Sequence, residues 1–349
     1  MRIAVIGAGS MGTIIGAYLT KAGCDVLMYD ANKEHVAAMQ ERGATIKHVE
    51  DDKTFTISVK AFTPDKMEGI YDLVFLLNKQ TTNPVVLPNL LKYLNEDSIV
   101  CALQNGIPEP SVAETVGQER TIGGAMLFPG TWLSPGVSAE IAPYDAFKKA
   151  AFDLGELSGG ITPRIKAVAT ILDNVGKCNV MEDLMDARWT KLLVNASGSG
   201  LSAALNCTYG EVIDNPKALT AKAIIAKECL EVCHAEGHKM LTAFDTDIES
   251  LYWKNRSEMR RVREIFFHWY DPRRNGKASM LQDLEKKLPT EIDFINGHVA
   301  AYGRKHGIAT PVNTRVVELV KEAEARKGVN DMGCLSRFDD VLAGYEDIF

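Results

Sequence analysis

Short apolar runs alternate with amphipathic stretches along the first half of the chain. The apolar runs indicate buried strands, and the stretches between them have the apolar spacing of helices. Strands that alternate with helices are typical of a parallel sheet covered by helices. The predicted strands span residues 2–6, 25–29, 71–77, 98–103 and 120–124, with antiparallel strands around 137–141 and 151–154, and the predicted helices span 11–22, 33–42, 88–94 and 163–175.

The pattern changes near residue 183, where long helical stretches replace the alternation and no strand is predicted. We therefore predict an α/β Rossmann domain over residues 1–180, followed by an all-α domain over residues 181–349. Because ligands bind preferentially between domains, we expect the functional site where these two domains meet. The predicted helices of the second domain span 184–204, 217–236, 247–268, 281–306 and 311–327.

The charge balance narrows the class of partner. The chain has 39 Lys and Arg against 46 Asp and Glu, a formal net charge of −7. Non-specific nucleic-acid binding needs a basic face, so no nucleic-acid partner is expected. No apolar run is long enough to cross a membrane, and the first residues lack a targeting pattern. We expect a cytoplasmic protein whose partner is a small molecule.

The cysteines do not form a recognisable framework. There are seven of them, an odd number with scattered spacing, so a disulfide network is not expected. Two pairs, Cys229 with Cys233 and His234 with His238, share a predicted helix. The two pairs point in different directions around the helix axis, which favours ordinary helix residues over a zinc site. No metal is expected.

A glycine motif provides the first sign of a cofactor. It follows the first predicted strand and opens the first helix, and it reads Gly7-Ala8-Gly9-Ser10-Met11-Gly12. In this context the first glycine permits a tight turn, the second lets a pyrophosphate approach the backbone, and the third lets the helix pack on the strand. The helix N-terminus presents N–H groups to the phosphates. We predict a dinucleotide site here, with a ligand-free glycine turn as the alternative.

Asp30 bears on the choice of nucleotide. It ends the second predicted strand, 30 − 12 = 18 residues after the last glycine of the motif. A carboxylate at this spacing accepts hydrogen bonds from the adenosine ribose hydroxyls and repels a 2′-phosphate. Lys33 is the nearest cation that follows it. The spacing therefore favours NAD over NADP, although a simple turn residue would also occupy this position.

The helical half contains a candidate proton donor. Lys191 and Asn195 are four residues apart and so share one helix face. Apolar neighbours would bury Lys191 and lower its pKa, as an acid near neutral pH requires; a snorkelling surface lysine is the alternative. Further on, Ser279 could bind a substrate carboxylate or hydroxyl, and Glu291 could pair with Lys191 and orient it. A capping residue and a solvated carboxylate are the simpler interpretations.

These residues together resemble the ketopantoate reductase (2-dehydropantoate 2-reductase) family, within the 6-phosphogluconate-dehydrogenase-like superfamily. The resemblance extends over nearly the whole chain. It is carried by the glycine motif, Lys79, Gln104-Asn105-Gly106, Arg188-Trp189-x-Lys191-x-x-x-Asn195, Ser279-Met280-Leu281-Gln282-Asp283, Glu291-Ile292-Asp293-x-Ile295-Asn296-Gly297 and His306-Gly307-Ile308-x-Thr310-Pro311-x-Asn313-Thr314.

The resemblance implies a fold, a reaction and residue roles. It implies a Rossmann domain with a 6-phosphogluconate-dehydrogenase-like helical domain, a homodimer, and reduction of a 2-oxo acid to a 2-hydroxy acid. Lys191 matches the general acid, and Glu291 matches the acidic residue beside it and near the nicotinamide ribose. Asn105 matches the asparagine at that ribose and the substrate. Asn195 and Ser279 match substrate-binding positions, and Lys79 matches a position near the cofactor.

Three features differ from the usual family pattern and keep the substrate open. Asp30 stands where the family typically has a basic residue, and Ser199 stands where a second substrate-binding asparagine is common. The segment 241–277 is longer than usual and leads directly into Ser279. Ketopantoate is the default substrate. The alternative is a D-2-hydroxyacid dehydrogenase acting on branched or aromatic 2-oxo acids, and a more remote one is a non-catalytic NAD-binding regulator.

Overall fold

The computed structural model describes residues 1–345 and divides into two compact units. The first comprises Met1–Gln104 and Pro108–Leu184, and the second comprises Asn105–Ile107 and the chain from Met185 onward. The first unit extends to Leu184 because the strand Cys178–Met181 pairs with Phe152–Glu156 and so belongs to its sheet. Within residues 1–345, no helix combines the length and the apolar character needed to span a membrane.

The first unit is built on an eight-stranded sheet. The strands of this unit are β1 (Arg2–Ile6), β2 (Asp25–Tyr29), β3 (Ala44–His48), β4 (Lys53–Ile57), β5 (Lys60–Phe62), β6 (Leu73–Leu76), β7 (Ile99–Ala102), β8 (Thr121–Met126), β9 (Gly130–Ser134), β10 (Val137–Glu140), β11 (Phe152–Glu156) and β12 (Cys178–Met181). The strand order in the eight-stranded sheet is β12-β11-β8-β7-β6-β1-β2-β5, and its neighbouring strands run parallel, apart from the antiparallel pair β8 and β11.

Helices cover both faces of this sheet. They are α1 (Ser10–Lys21), α2 (Lys33–Arg42), α3 (Asn83–Leu90), α4 (Glu109–Val116), α5 (Tyr144–Lys149) and α6 (Pro163–Leu172). Along β1, Ile3 and Val5 pack into one apolar cluster, whereas Ala4 and Ile6 pack into another on the opposite face. Because side chains alternate across a strand, both faces of the sheet are buried. The predicted Rossmann architecture is confirmed.

Some predicted elements of this unit were wrong or missing. The helix predicted at 88–94 lies earlier in the chain, as α3. Its first turn contains Pro84 and not Pro88, and the first turn is the part of a helix that tolerates proline. The predicted strand at 137–141 is β10, which pairs antiparallel with β9 but parallel with β3. A four-stranded sheet of order β4-β3-β10-β9 results. Strands β3 and β4 escaped prediction because exposed polar residues interrupt their apolar positions.

Up to residue 345, the second unit is helical, as predicted, apart from one hairpin of two short strands. Its helices are α7 (Leu184–Asn195), α8 (Leu201–Leu205), α9 (Tyr209–Asp214), α10 (Pro216–Ala235), α11 (Arg256–Tyr270), α12 (Ser279–Glu285), α13 (Asn296–His306) and α14 (Pro311–Ala325), and the hairpin strands are β13 (Thr242–Ala243) and β14 (Thr246–Asp247). Helix α10 lies in the core, packed against α9, α11, α13 and α14.

Two long predicted helices of this unit are interrupted. The stretch 281–306 contains α12, a short 3₁₀ turn at Ile292–Phe294 and α13. Pro289 lies in the break, where a regular helix would lose a backbone hydrogen bond. The stretch 247–268 contains a short 3₁₀ turn at Ile248–Leu251 and becomes α-helical only at Arg256. The Asn255 side chain caps α11 there by accepting from the Glu258 N–H at 3.0 Å.

Candidate functional site

Three of the predicted nucleotide-binding features, namely the glycine motif, Asp30 and Lys79, lie at one edge of the large sheet. The glycine motif follows β1, Asp30 follows β2, Lys79 lies after β6, and Gln104 lies after β7. These four strands are adjacent and parallel in the order β7-β6-β1-β2. The chain connections diverge at β1, and ligands bind outside the carboxyl ends of strands at such a switch point. The topology therefore forms a nucleotide-binding edge.

The three motif glycines have different physical roles. Gly7 has a φ of +88°, and a Cβ there would lie 2.3 Å from the Asn78 backbone nitrogen. A Cβ at Gly12 would lie 2.1 Å from the Gly7 carbonyl oxygen. A Cβ at Gly9, in contrast, would have no heavy atom within 4 Å. Packing within the protein thus explains Gly7 and Gly12, whereas the open side of Gly9 suits the close approach of a ligand.

The start of α1 fits a bound pyrophosphate. No side chain caps this helix, so its first backbone N–H groups have no side-chain acceptor. Ser10 and Met11, in its first turn, are partly exposed. The preceding loop is held by the Tyr29 carbonyl, which accepts from the Gly7 and Ala8 N–H groups at 2.8 and 3.0 Å. Fixed N–H groups and the positive helix end favour phosphate oxygens here.

Sequence reasoning missed a histidine that braces this loop. The buried His35 Nδ1 accepts from the Gly136 N–H at 2.9 Å and from the Trp132 indole at 3.2 Å. These two donors assign the proton to Nε2, which donates to the Ala8 carbonyl at 2.7 Å. The Thr13 hydroxyl donates to the same carbonyl at 2.7 Å. Buried in an amphipathic helix, His35 has no distinguishing sequence signal.

Asp30 is half-buried at the end of β2. Its Oδ1 accepts from the Asn32 N–H at 2.8 Å, and its own N–H donates to the Phe62 carbonyl at 3.1 Å. Burial raises the pKa of the Asp30 carboxyl. Lys33 is exposed nearby in the sequence, at the first position of α2. The arrangement provides an oxygen acceptor, the group that a ribose hydroxyl needs.

Amide contacts fix the loop that contains Lys79. The Gln104 Nε2 donates to the Asn78 carbonyl at 2.7 Å and to the Asn83 Oδ1 at 2.8 Å. The Asn78 Nδ2 in turn donates to the Asn83 Oδ1 at 2.9 Å. Lys79 is partly buried between these anchored residues. Gln104, which precedes the predicted site residue Asn105, therefore has a structural role. This role of Gln104 was not predicted from the sequence.

In the second unit, three predicted site residues form a hydrogen-bonded chain. The Asn105 Nδ2 donates to the Glu291 Oε2 at 3.3 Å, and the Asn195 Nδ2 donates to the Asn105 Oδ1 at 3.4 Å. These residues lie on a short loop, at the end of α7 and before a 3₁₀ turn. Each residue is at least 90 positions from the next in the sequence. Tertiary folding alone brings them together.

Lys191 lies one helical turn before Asn195 on α7. Its side chain is partly buried, and burial lowers the pKa of the Lys191 ammonium. Burial disfavours the charged form because the ammonium loses its hydration. The pKa shift is in the direction that a proton donor near neutral pH requires. Glu291 accepts from Asn105, and its predicted pairing with Lys191 stays a prediction.

A further carboxylate, missed from the sequence, holds the segment before Glu291. The Thr290 N–H and hydroxyl both donate to the Glu324 Oε1 at 2.7 Å. The Thr290 hydroxyl also accepts from the Ile292 N–H at 3.2 Å. Glu291 is 7% exposed, so its carboxylate is buried in a segment anchored on both sides. Glu324 lies in the last turns of α14 and looks like a solvated helix residue in the sequence.

The helix that carries Lys191 and Asn195 changes geometry immediately after them. Residues Ala196–Gly200 form a π-helical turn between α7 and α8, a feature common at functional sites. The Asn296 Nδ2 donates to the Ala196 carbonyl at 3.2 Å, and a Cβ at Gly200 would lie 2.0 Å from the Asn296 Oδ1. All five residues of this turn are small. This composition was the one feature of the sequence that could have indicated the turn.

The two serines predicted to bind substrate have different environments. Ser199 is 7% exposed, and its hydroxyl accepts from the Met280 N–H at 3.4 Å. This contact joins the π turn to the start of α12. Ser279 is the first residue of that helix and is exposed. Ser199 therefore anchors the turn that carries Ser279, while the substrate-binding roles of both serines stay predictions.

Family models match both halves of the chain. The model described as Ketopantoate reductase PanE/ApbA matches residues 3–149. The model described as Ketopantoate reductase PanE/ApbA C terminal matches residues 183–324. The two matches cover most of the sheet-containing unit and most of the helical unit.

Individual proteins show the same similarity over almost their full lengths. The chain is 25% identical to the 2-dehydropantoate 2-reductase of Archaeoglobus fulgidus over 93% of this chain and 98% of that protein. It resembles the structure of 2-dehydropantoate 2-reductase from Geobacter metallireducens GS-15, with a TM-score of 0.76, 27% identity, and coverage of 93% and 100%. It also resembles D-mandelate dehydrogenase in a ternary structure with NADH and anilino(oxo)acetate, with a TM-score of 0.79, 26% identity, and coverage of 94% and 99%.

Proposed function

Because the chain belongs to the ketopantoate reductase family, we propose that it reduces a 2-oxo acid to the 2-hydroxy acid with a pyridine nucleotide. Ketopantoate is the first substrate to test. The observation that carries the proposal is the hydrogen-bonded chain of Asn195, Asn105 and Glu291, with the partly buried Lys191 one turn away. Amides and a carboxylate hold a polar substrate, and a lysine of lowered pKa supplies a proton.

The first unit would hold the nucleotide. The glycine motif and the start of α1 fit its pyrophosphate, and Asp30 fits the adenosine ribose. A bound reduced nicotinamide nucleotide supplies the hydride. Asn105 and Glu291 offer polar groups for the nicotinamide ribose, and Lys79 lies at the same nucleotide-binding edge as the glycine motif.

Lys191 would act on the carbonyl oxygen of the substrate. While protonated, its ammonium stabilises the negative charge that develops on that oxygen. Its proton then passes to the oxygen and completes the hydroxyl group. A lowered pKa makes this transfer easier near neutral pH. Asn195 and Ser279 would bind the carboxylate or a hydroxyl of the substrate.

A second candidate is an NAD-dependent D-2-hydroxyacid dehydrogenase acting on branched or aromatic 2-oxo acids. Asp30 favours it, because a carboxylate at this position repels a 2′-phosphate. The similarity to D-mandelate dehydrogenase with NADH bound supports the same alternative. Ser199, which stands where the family often has an asparagine, is a further difference from a ketopantoate pocket.

One assay distinguishes these functions. The purified protein is mixed with NADH or NADPH and either ketopantoate or a panel of branched and aromatic 2-oxo acids, and nucleotide oxidation is followed. We expect NADH to be preferred. Fastest turnover with ketopantoate supports the family activity, and fastest turnover with another 2-oxo acid supports the second candidate. Nucleotide binding without any turnover contradicts both functions and favours a regulator.

We further propose where the protein is located and how many copies assemble. The odd number and scattered spacing of the seven cysteines are typical of proteins of reducing compartments, and we place the reaction in the cytoplasm. By analogy with the family we propose a homodimer. Sedimentation of the purified protein measures that state directly.

A further inference from the structure

A buried lysine in the helical unit has no part in the proposed reaction. Lys222 lies on α10, and its side chain is 1% exposed. Its Nζ donates to the Ser197 carbonyl at 2.8 Å. Burial lowers the pKa of Lys222 to about 7. Burying an ammonium is unfavourable unless it has good partners, so this lysine needs a reason to be in the core.

Aromatic rings supply the other partners of Lys222. Its Nζ lies 3.7 Å from the centroid of the Tyr270 ring and 5.1 Å from that of Phe266. Both rings are buried near the end of α11, within the long segment 241–277. The attraction of a cation to an aromatic face increases when water is excluded. The extension of this chain therefore contributes directly to the environment of Lys222.

These contacts converge on the π turn Ala196–Gly200. Two successive carbonyls of the turn, those of Ala196 and Ser197, accept from Asn296 and Lys222. Tyr270 also presses on the turn, since a Cβ at Gly198 would lie 2.6 Å from its hydroxyl oxygen. A π turn changes the hydrogen-bond pairing of a regular α-helix. Here two carbonyls of the turn accept hydrogen bonds from side chains outside it.

We propose that Lys222 and Tyr270 act as a clasp that holds this π turn and so positions Asn195 for its contact with Asn105. The proposal rests on the proposed reductase function. Lys222 is a positioning residue, because its contacts are with the turn and not with the reacting groups. The segment 241–277 provides half of the clasp through Tyr270.

The helical geometry explains why loss of the clasp would matter. Each residue of an α-helix turns the chain by about 100°. A π turn accommodates an extra residue, so its relaxation to α geometry changes the relative orientation of the side chains before and after it. Asn195 directly precedes the turn, and its amide is 3.4 Å from the Asn105 oxygen. A small rotation would break this contact.

The test uses the full-length protein and a matched pair of variants. Lys222→Met removes the donor and the charge but keeps a long apolar chain. Lys227→Met is the control, because Lys227 lies on the same helix, with its Nζ 4.2 Å from the centroid of the Trp253 ring and 3.8 Å from the Glu231 Oε1. The readouts are kcat and KM with the preferred 2-oxo acid, the Kd for NADH, and amide hydrogen exchange of a peptide covering residues 196–201.

We expect Lys222→Met to lower kcat roughly tenfold to 100-fold, since misplacement of a positioning group has effects of that order. Exchange in residues 196–201 should accelerate at least about tenfold, because the turn would open more often once its carbonyl loses the Lys222 donor. The Kd for NADH should stay within about twofold of the wild-type value, because nucleotide-binding residues of the first unit are unchanged. Lys227→Met should match the wild type in every readout.

Unchanged turnover and exchange in Lys222→Met would overturn the clasp, as would equal losses in both variants. If Lys222→Met does not fold, Tyr270→Leu and Tyr270→Phe replace it. The phenylalanine variant keeps the ring and should stay active, whereas the leucine variant should lose kcat; equal activity overturns the proposal. A wild-type protein that reduces no 2-oxo acid overturns the proposed function, yet faster exchange in Lys222→Met would still establish the clasp.

Discussion

At the scale of single residues, Lys191 is the group on which the proposed chemistry depends most. A neutral side chain there removes both the proton and the positive charge. We expect Lys191→Met to lower kcat by about 100-fold to 10,000-fold, the usual contribution of a positioned general acid. Steady-state kinetics with NADH would measure this, with unchanged NADH binding as the control. Near-normal turnover would remove Lys191 from the mechanism.

The pH dependence of reduction follows from the same residue. Reduction needs the protonated amine, so kcat should decrease as pH rises through the pKa of Lys191. Burial lowers this pKa below the ordinary lysine value of 10.5, and the decrease should therefore begin at a lower pH than for an exposed lysine. The measurement is a profile of kcat against pH. If kcat did not decrease with rising pH below pH 10.5, this expectation would be contradicted.

His35 allows a separate test of the nucleotide half of the site. Its Nε2–H holds the Ala8 carbonyl at 2.7 Å, and its Nδ1 ties the loop to the Gly136 N–H. His35→Leu removes both contacts and should weaken NADH binding about tenfold, a change of about 1.4 kcal/mol. The kcat should change little once NADH is saturating. His35→Gln, which can still donate to Ala8, is the control, and an unaltered Kd in His35→Leu would contradict the role.

At the scale of elements, the π turn after α7 departs from what local propensity predicts. In a regular helix, Gly→Ala stabilises by up to about 1 kcal/mol. At Gly200 a Cβ would lie 2.0 Å from the Asn296 Oδ1. We expect Gly200→Ala to destabilise by about 1–3 kcal/mol, as overpacking does, measured by urea unfolding. Its effect should shrink in an Asn296→Ala background, because the clash is then removed; stabilisation by Gly200→Ala alone would refute the clash.

At the scale of the whole molecule, buried polar contacts join helices that are distant in sequence. Glu228 on α10 accepts from the Val312 and Asn313 N–H groups at 3.0 and 2.9 Å and so caps the start of α14. Burial raises the pKa of Glu228 to about 7. The folded protein therefore holds this proton more tightly than the unfolded chain, whose glutamates titrate near pH 4.5.

The contribution of Glu228 to stability depends on pH. Between pH 4.5 and 7 the folded state binds more protons at Glu228, so this residue's contribution to the free energy of unfolding falls as pH rises, by about 3 kcal/mol at most. Glu228→Gln lacks this proton and should show a flatter dependence across the same window. Urea unfolding of both proteins at several pH values measures the difference. Parallel profiles would show that Glu228 does not titrate in this range.

The class of fold and the nature of the candidate chemistry could be predicted from the order of the amino acids alone. The strands Arg2–Ile6 and Asp25–Tyr29 and the helix Lys33–Arg42 match their predicted limits, because apolar periodicity and caps are local properties. The glycine motif and the family resemblance depend on residue types at fixed spacings. Such spacings can be recognised directly in the sequence. They predicted a nucleotide-dependent reductase of the ketopantoate reductase family, whose models match the chain.

Contacts between residues that are distant in the chain depend on the complete fold and could not be predicted. Asn105, Asn195 and Glu291 become neighbours through packing, and no local pattern encodes a contact across so many positions. Buried groups such as His35 and Lys222 owe their roles to partners on other elements, so the sequence around each offers no sign of them. The π turn had a visible composition of small residues, but the side chains of Tyr270 and Asn296 that fill the space beside Gly198 and Gly200 come from distant parts of the chain. Propensity acts within a few residues, whereas burial and hydrogen bonding depend on the completed fold.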